Sequence, residues 1–459
     1  MNLNRFKNVL ITLLVFLALY QTSEIWFEDT GGSFFTLFGR SRQVSVESGL
    51  MRNFAFPMRI VVGNGSEDFH VVYSGMSDND VRAFADEVLL AALSGGGAAR
   101  VTSPDFEELL KGSVVIYEYA KEMSSMHFVK ALGLGMAAQP AIEIFNRILF
   151  FADDSGLNVY FHNRYTKSWA GYLVNEPTAL EEFFAVTNSA ANLSASDNIR
   201  WSSSFLLGLD SDPYNNLFIP VWGDGYYYPV GEARPAHFDI ADGAVKSTIR
   251  ANLMSFFDNP SAVYDASIAP IFAWADENNI VRHFPENVIQ YISYRRDGTN
   301  TELLDDFAAA LDFMAKRDLF LTNDIYLSGF EERNNERIFY FDYILEGLPI
   351  VFADSLRNSI GELTTNGIAV RFRDGNLVSY TRLAYEFSVN DGIRERANRD
   401  LPLYIINSEL DPNSLESITL AFVAPGIDRL TGVGTMNLWV DFRMWDGMSS
   451  MESLNTNPY

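Results

Sequence analysis

Five histidines, His70, His127, His162, His237 and His283, are the side chains best suited to proton transfer or metal ligation near neutral pH. They stand far apart, and no H-E-x-x-H or other ligand spacing links them. Cysteine is absent, which removes disulfides, thiolate zinc or iron–sulfur sites and a thiol nucleophile. The sequence holds neither a G-x-x-x-x-G-K-[ST] phosphate loop nor a G-x-S-x-G elbow. The glycine clusters at 95–97, 133–135 and 432–434 lack strand-to-helix context and read as turns. Asp210, Asp212 and Tyr214 through Asn216 resemble a calcium loop faintly, without its glycine or distal glutamate. A glycosidase carboxylate pair can come from distant positions, and 59 acidic residues give no way to choose one. Trp222, Tyr226, Tyr227 and Tyr228 could stack on a sugar or peptide, but core and hairpin packing is the preferred reading. The expectation is a chain with no catalytic residue, cofactor or metal.

The N-terminus is more informative. Arg5 and Lys7 precede the apolar run Val9–Tyr20, which continues to Phe27 before Glu28 and Asp29. Basic residues before the run place the N-terminus in the cytoplasm and the bulk outside. From Val9 to Phe27 there are 19 residues, roughly 28 Å of helix at about 1.5 Å per residue. That approaches a hydrocarbon thickness of about 30 Å. No small-x-small cleavage site follows, so an uncleaved signal anchor is expected, with Trp26 at the interface. Thr12, Phe16, Leu19 and Ser23 fall at spacings of four, three and four and share one side of that helix. They are the candidate partner face within the membrane.

The formal net charge of −25 argues against nucleic acid, which needs clustered Lys and Arg, and against a polybasic membrane patch. With 48% apolar residues the remainder can fill large cores. An α+β fold is expected: a single transmembrane helix, then a multidomain ectodomain of helices packed on antiparallel sheets. The expected divisions are a cytoplasmic tail at 1–8, the anchor at 9–27, a juxtamembrane linker at 28–60, an N-terminal ectodomain at 61–195, a central α+β domain at 196–322 and a β-rich C-terminal domain at 323–459.

Local signals mark the elements. A first strand is expected near Met58 to Val62. Ser77 and Asp80 open a helix in which Val81, Phe84, Ala85, Val88, Leu89 and Ala92 recur at helical spacing, and Gly95 to Gly97 close it. Another runs near Glu176 to Thr187, with Pro177 in its first turn. The small polar stretch Leu193 to Asn198 reads as a boundary. A helix over Ala244 to Phe257 stops at Asp258, Asn259 and Pro260. Strands follow at Ile271 to Ala275, Ile280 to Phe284 and Val288 to Tyr294, then a helix from Leu303 to Ala315. Strands at Ile338 to Ile344 and Ile350 to Phe352 lead to the hairpin IAVRFRDGNLVSYTR, turned at Asp374-Gly375. The last expected strand is Met436 to Phe442.

These segments resemble those of the YycH family. The resemblance rests on the anchor with its exit QTSEIWF, on FFDNPSAVYDAS, IFAWADENNIVRHFP and VIQYISY in the middle, and on IYLSGFEERNNERIFYFDYILEGLPIVF with the hairpin near the end. It implies a membrane-anchored, extracytoplasmic, non-enzymatic regulator of the WalK (YycG) two-component sensor histidine kinase, acting on cell-wall metabolism. The partners it implies are that kinase, a YycI-like sister regulator and the lipid bilayer, with no nucleic acid. Two alternatives stand beside it: an anchored ligand-binding module and a membrane-anchored wall-polymer hydrolase.

Overall fold

The structure, a computed structural model, describes residues 46–66, 68–73, 80–94, 104–154, 156–174, 177–197, 199–209, 216–222, 227–236, 245–296, 301–318, 321–353, 366–396, 415–424, 434–444 and 449–453. The expected anchor at 9–27 lies outside these residues, as do Thr12, Phe16, Leu19 and Ser23. Among the described residues no helix is long and apolar enough to cross a membrane.

Leu50–Tyr459 forms one compact unit built on two large sheets. The first contains β1 (Arg59–Asn64), β2 (Asp68–Tyr73), β3 (Ser113–Ser124), β4 (Ile144–Asp153), β5 (Gly156–Asn163), β6 (Ser168–Val174), β7 (Ile199–Ser203) and β8 (Phe218–Trp222). Its order is β6-β5-β4-β3-β1-β2-β7-β8, antiparallel throughout. The helices Asp80–Ser94 and Pro177–Asp197 pack over it, joined to each other at Phe84 and Phe183. Its inner strands are apolar on both faces, as a doubly covered sheet requires: Val114 to Tyr117 and Ile148 to Phe150 are all buried.

The second sheet gathers the later strands: β9 (Tyr227–Pro235), β10 (Tyr264–Asp265), β11 (Phe272–Ala275), β12 (Asn279–His283), β13 (Val288–Ser293), β14 (Ile325–Arg333), β15 (Glu336–Leu345) and β16 (Leu348–Phe352). It also takes β17 (Ile368–Arg373), β18 (Asn376–Leu383), β19 (Tyr385–Arg396), β20 (Leu415–Ala424), β21 (Gly434–Met444) and β22 (Ser449–Ser453). The order is β10-β11-β12-β13-β18-β17-β15-β16-β20-β21-β9-β19, with β14 beside β15 and β22 beside β21. The pairing of β16 with β20 is parallel. The helix Leu303–Arg317 begins with a reciprocal Glu302–Asp305 capping box and buries Leu303, Leu304, Phe307, Leu311 and Met314. Phe307 meets Phe339 edge-on, with ring centroids 5.5 Å apart.

Most expected elements form, and the hairpin matches in detail. Ile368, Val370 and Phe372 are buried, Arg371 and Arg373 are exposed, and Asp374 and Gly375 hold φ of 51° and 73°. Three segments differ. Within the stretch read as linker, Val46–Arg52 is helical and Phe54 is 1% exposed, in contact with Phe307 and Phe330. A lone Phe carries no period, so only its tertiary contacts reveal it as core. Leu193 to Asp197 of the LSASDN stretch complete the helix Pro177–Asp197, and β7, which follows, joins β2. Helix propensities of small polar residues are weak enough for tertiary packing to override. After β21, which is longer than expected, β22 adds one more strand.

Candidate functional site

The first sheet carries a row of polar and aromatic side chains at one level. Cross-strand partners run Tyr73 to Arg59, Arg59 to Glu118, Glu118 to Arg147, Arg147 to His162 and His162 to Trp169. Directly opposed residues on one face have Cβ atoms about 4.5–5.5 Å apart, so sheet register alone assembles this row from six strands. Arg59 Nε donates to Glu118 Oε2 at 2.5 Å, and Arg147 Nη2 lies 2.6 Å from Glu118 Oε1. The His162 ring stacks on Trp169, 3.8 Å between centroids. Tyr117, one residue before Glu118, points to the opposite face, where its hydroxyl lies 3.2 Å from Asp86 Oδ1 in the helix Asp80–Ser94.

This row meets the second sheet. Arg59 Nη1 donates to the Ile418 carbonyl of β20 at 2.9 Å, across 359 positions of sequence. A cleft of about 130 Å³ opens between the sheets there. Arg59, Tyr73, Glu118, Asn146, Arg147 and Arg164 line one wall; Tyr326, Ser328, Asp342, Pro349, Asn366 and Thr419 line the other. The four charged groups of the first wall are nearly sealed: Arg59 is 2% exposed, Glu118 6%, Arg147 4% and Arg164 6%. Tyr165 stands partly exposed at the same cleft.

Electrostatics keep Glu118 and Arg59 ionised. Burial works to raise the Glu118 carboxyl, but the guanidinium groups of Arg59 and Arg147 outweigh it and hold the pKa at about 2. Burial alone would depress Arg59, and Glu118 beside it reverses the sign. Arg147 Nη2 also donates to the Asn216 carbonyl at 3.0 Å. The Arg164 backbone N–H donates to Asn146 Oδ1 at 3.0 Å, which fixes the turn after β5. On the facing wall Asp342 accepts from Asn366 Nδ2 at 2.9 Å and from the Gly367 N–H at 2.7 Å.

The side chains singled out from sequence lie elsewhere or serve packing. His162 and His283 are buried, His70 and His127 are half-buried, and His237 is outside the described residues. No group of three His, Asp or Glu among the described residues could hold a metal ion. Asp210, Asp212, Tyr214 and Asn215 are likewise not described; Asn216 is buried, its Oδ1 accepting from Ser203 Oγ at 2.5 Å. Trp222 and Tyr228 belong to the core, Tyr227 is 51% exposed and Tyr226 is outside the described residues. The cleft residues were not anticipated. Their signal is a charge set inside an apolar strand: PMRIVV at Arg59, VVIYEYA at Glu118 and FNRILFF at Arg147.

No protein-family model matches the sequence, and no curated protein matches it. Solved structures do. The chain is similar to YycH from Bacillus subtilis, with a TM-score of 0.53 and 10% identity over 89% of this chain and 97% of that one. The fold is YycH-like. Residues 196–459 make up less than two thirds of the sequence, so the likeness extends well into residues 1–195. Weaker likenesses are to an uncharacterized protein from Eubacterium rectale (TM-score 0.32, 9% identity, 52% of this chain and 89% of that one) and to the YpeB C-terminal domain of Bacillus megaterium (0.25, 13%, 47% and 99%).

Proposed function

We propose that the chain is a membrane-anchored, non-catalytic regulator of a sensor histidine kinase that governs cell-wall metabolism. The YycH-like fold across 89% of the chain carries this reading. The basic-to-acidic flanks of the apolar run Val9–Phe27 support its membrane part. In this reading Arg5 and Lys7 are cytoplasmic, and the chain from about Glu28 is extracytoplasmic. The kinase is WalK-like, and a YycI-like sister protein shares the assembly. Thr12, Phe16, Leu19 and Ser23 face these partners, because helices associate in lipid through close packing and polar contacts and not through a hydrophobic drive.

One test replaces Val9–Tyr20 with an unrelated apolar helix of equal length and flanks. Transcription of kinase-dependent genes is compared with that in wild-type and deletion strains at equal membrane levels. Deletion shifts the output, and the swap moves it towards the deletion value. An unchanged output on deletion sinks the regulator reading; a swap that regulates like wild type leaves the helix as a tether only. The cleft between the sheets favours a second, compatible reading, in which the ectodomain is a ligand-binding module.

A further inference from the structure

Strands β10 to β13 form one end of the second sheet. Trp274, Val281 and Tyr291 point inward there: all three are buried, and Phe256 lies against Tyr291 with ring centroids 6.0 Å apart. Side chains alternate along a strand, so the residues between them share the other face. On that face Tyr264 stands opposite Ala275, Ala275 opposite Ile280 and Ile280 opposite Ile292. One level along, Ala273 opposes Arg282, which opposes Gln290. Ala273 and Ala275 are therefore the low floor of a shallow trough that runs along β11. Tyr264, 59% exposed, is one bank; Ile280 and Arg282, half-buried, are the other. The banks are two strand spacings apart, about 10 Å between backbones. Tyr294 extends the apolar surface: its N–H donates to the Asn278 carbonyl, which carries the β12–β13 ladder one residue further, and its ring is exposed on the side of Ile292.

We propose that this trough binds a neutral polysaccharide, one sugar ring lying over Ala273 and Ala275 and stacked against Tyr264. A pyranose presents C–H bonds on its flat face and hydroxyls around its rim. The electron-rich face of an aromatic ring attracts the former, and Tyr264 supplies that ring. The hydroxyls need donors and acceptors at the next level, where Arg282 Nη1 donates to Gln290 Oε1 at 3.4 Å. A guanidinium carries five N–H donors and an amide two, more than this one bond uses. Charge selects the neutral class: a molecule of net charge −25 repels anionic polymers, and a neutral one meets no such barrier. A protein partner fits less well. Protein interfaces gather apolar side chains at the centre and polar ones at the rim, whereas the Arg282–Gln290 pair lies on inner strands beside the trough floor, away from the β10 edge. The inference stands apart from the kinase reading.

Calorimetric titration of the full chain in a zwitterionic, sugar-free detergent tests it, with chitohexaose in one arm and cellohexaose in another. Saturable heat is expected in at least one arm, and the stronger arm shows whether the acetamido group is read. Tyr264→Ala should weaken binding by at least about tenfold while the unfolding midpoint holds, because the ring is exposed. Tyr264→Phe keeps the stacking face and should bind like wild type. Tyr227→Ala removes a tyrosine of similar exposure on β9, away from the trough, and should change nothing. Should Tyr264→Ala fail to fold, Gln290→Ala decides, with a comparable loss expected. The absence of saturable heat in both arms, binding that survives Tyr264→Ala, or an equal loss in Tyr227→Ala overturns the proposal. Self-association of the sugar-free protein that Tyr264→Ala abolishes would also overturn it and assign the face to a second copy of the chain.

Discussion

His283 sits in β12, 6% exposed, and burial holds its imidazole down to about 4 against an ordinary value of 6.5. A folded-state pKa below the unfolded one means the unfolded chain binds more protons between those values. The stability this group contributes is therefore complete above about pH 6.5 and is lost as pH falls towards 4. The steepest loss is about 1.4 kcal/mol per pH unit for one proton, and the total is about 3 kcal/mol. His162 is shifted in the same direction by burial, then by Arg147 and Arg164. Replacing His283 by Gln should thus flatten the fall in unfolding midpoint between pH 6.5 and 4 without abolishing it. Denaturant titrations across that range check this; an unchanged slope means the folded protein protonates His283 readily.

Among the elements, the β17–β18 hairpin shows how local chemistry suffices when the turn and the period agree. Asp374 and Gly375 both adopt positive φ, which matches the right-handed twist of the flanking strands. A β-branched residue at Gly375 would meet the Cβ penalty of that region, so Gly375→Val should cost about 1–2 kcal/mol. A lower thermal midpoint of the protein is the expected result. The same strands also carry a pairing that composition does not disclose. Arg382 Nη1 lies 2.5 Å from Asp318 Oδ1, both side chains almost fully buried, and Tyr380 donates to Asp318 at 2.6 Å. Alternation places Tyr380 and Arg382 on one face of β18, but only the end of the helix Leu303–Arg317 supplies their partner.

On the scale of the larger unit, Leu50–Tyr459, a few contacts bind the two sheets together. Phe54, just ahead of β1, inserts between Phe307 of the second sheet's helix and Phe330 of β14, at 5.2 and 5.3 Å between ring centroids. Arg59 reaches the Ile418 carbonyl, and Lys130 pairs with Glu302. Such shared contacts couple the stability of the two sheets. Phe54→Ala should cost about 3–5 kcal/mol through lost burial and the cavity left behind. Tryptophan fluorescence and circular dichroism should then show both sheets unfolding together at a lower denaturant concentration. A first sheet that unfolds alone while the second keeps its wild-type midpoint would show that Phe54 does not couple them.

The sequence by itself determined what depends on neighbours along the chain. The Asp374-Gly375 turn, the apolar stripe from Leu303 to Met314 and the strands around Asp276 to Asn279 follow from short-range period and turn chemistry. The charge and cysteine count likewise narrowed the chemistry open to the chain. Tertiary structure decided the cleft. Arg59, Glu118 and Arg147 are 59 and 29 residues apart, and only the register of β1, β3 and β4 sets them side by side. A charged residue within an apolar strand shows that something must compensate it, but not what. The compensating groups come from other strands, and strand pairing is a long-range choice that no local pattern encodes.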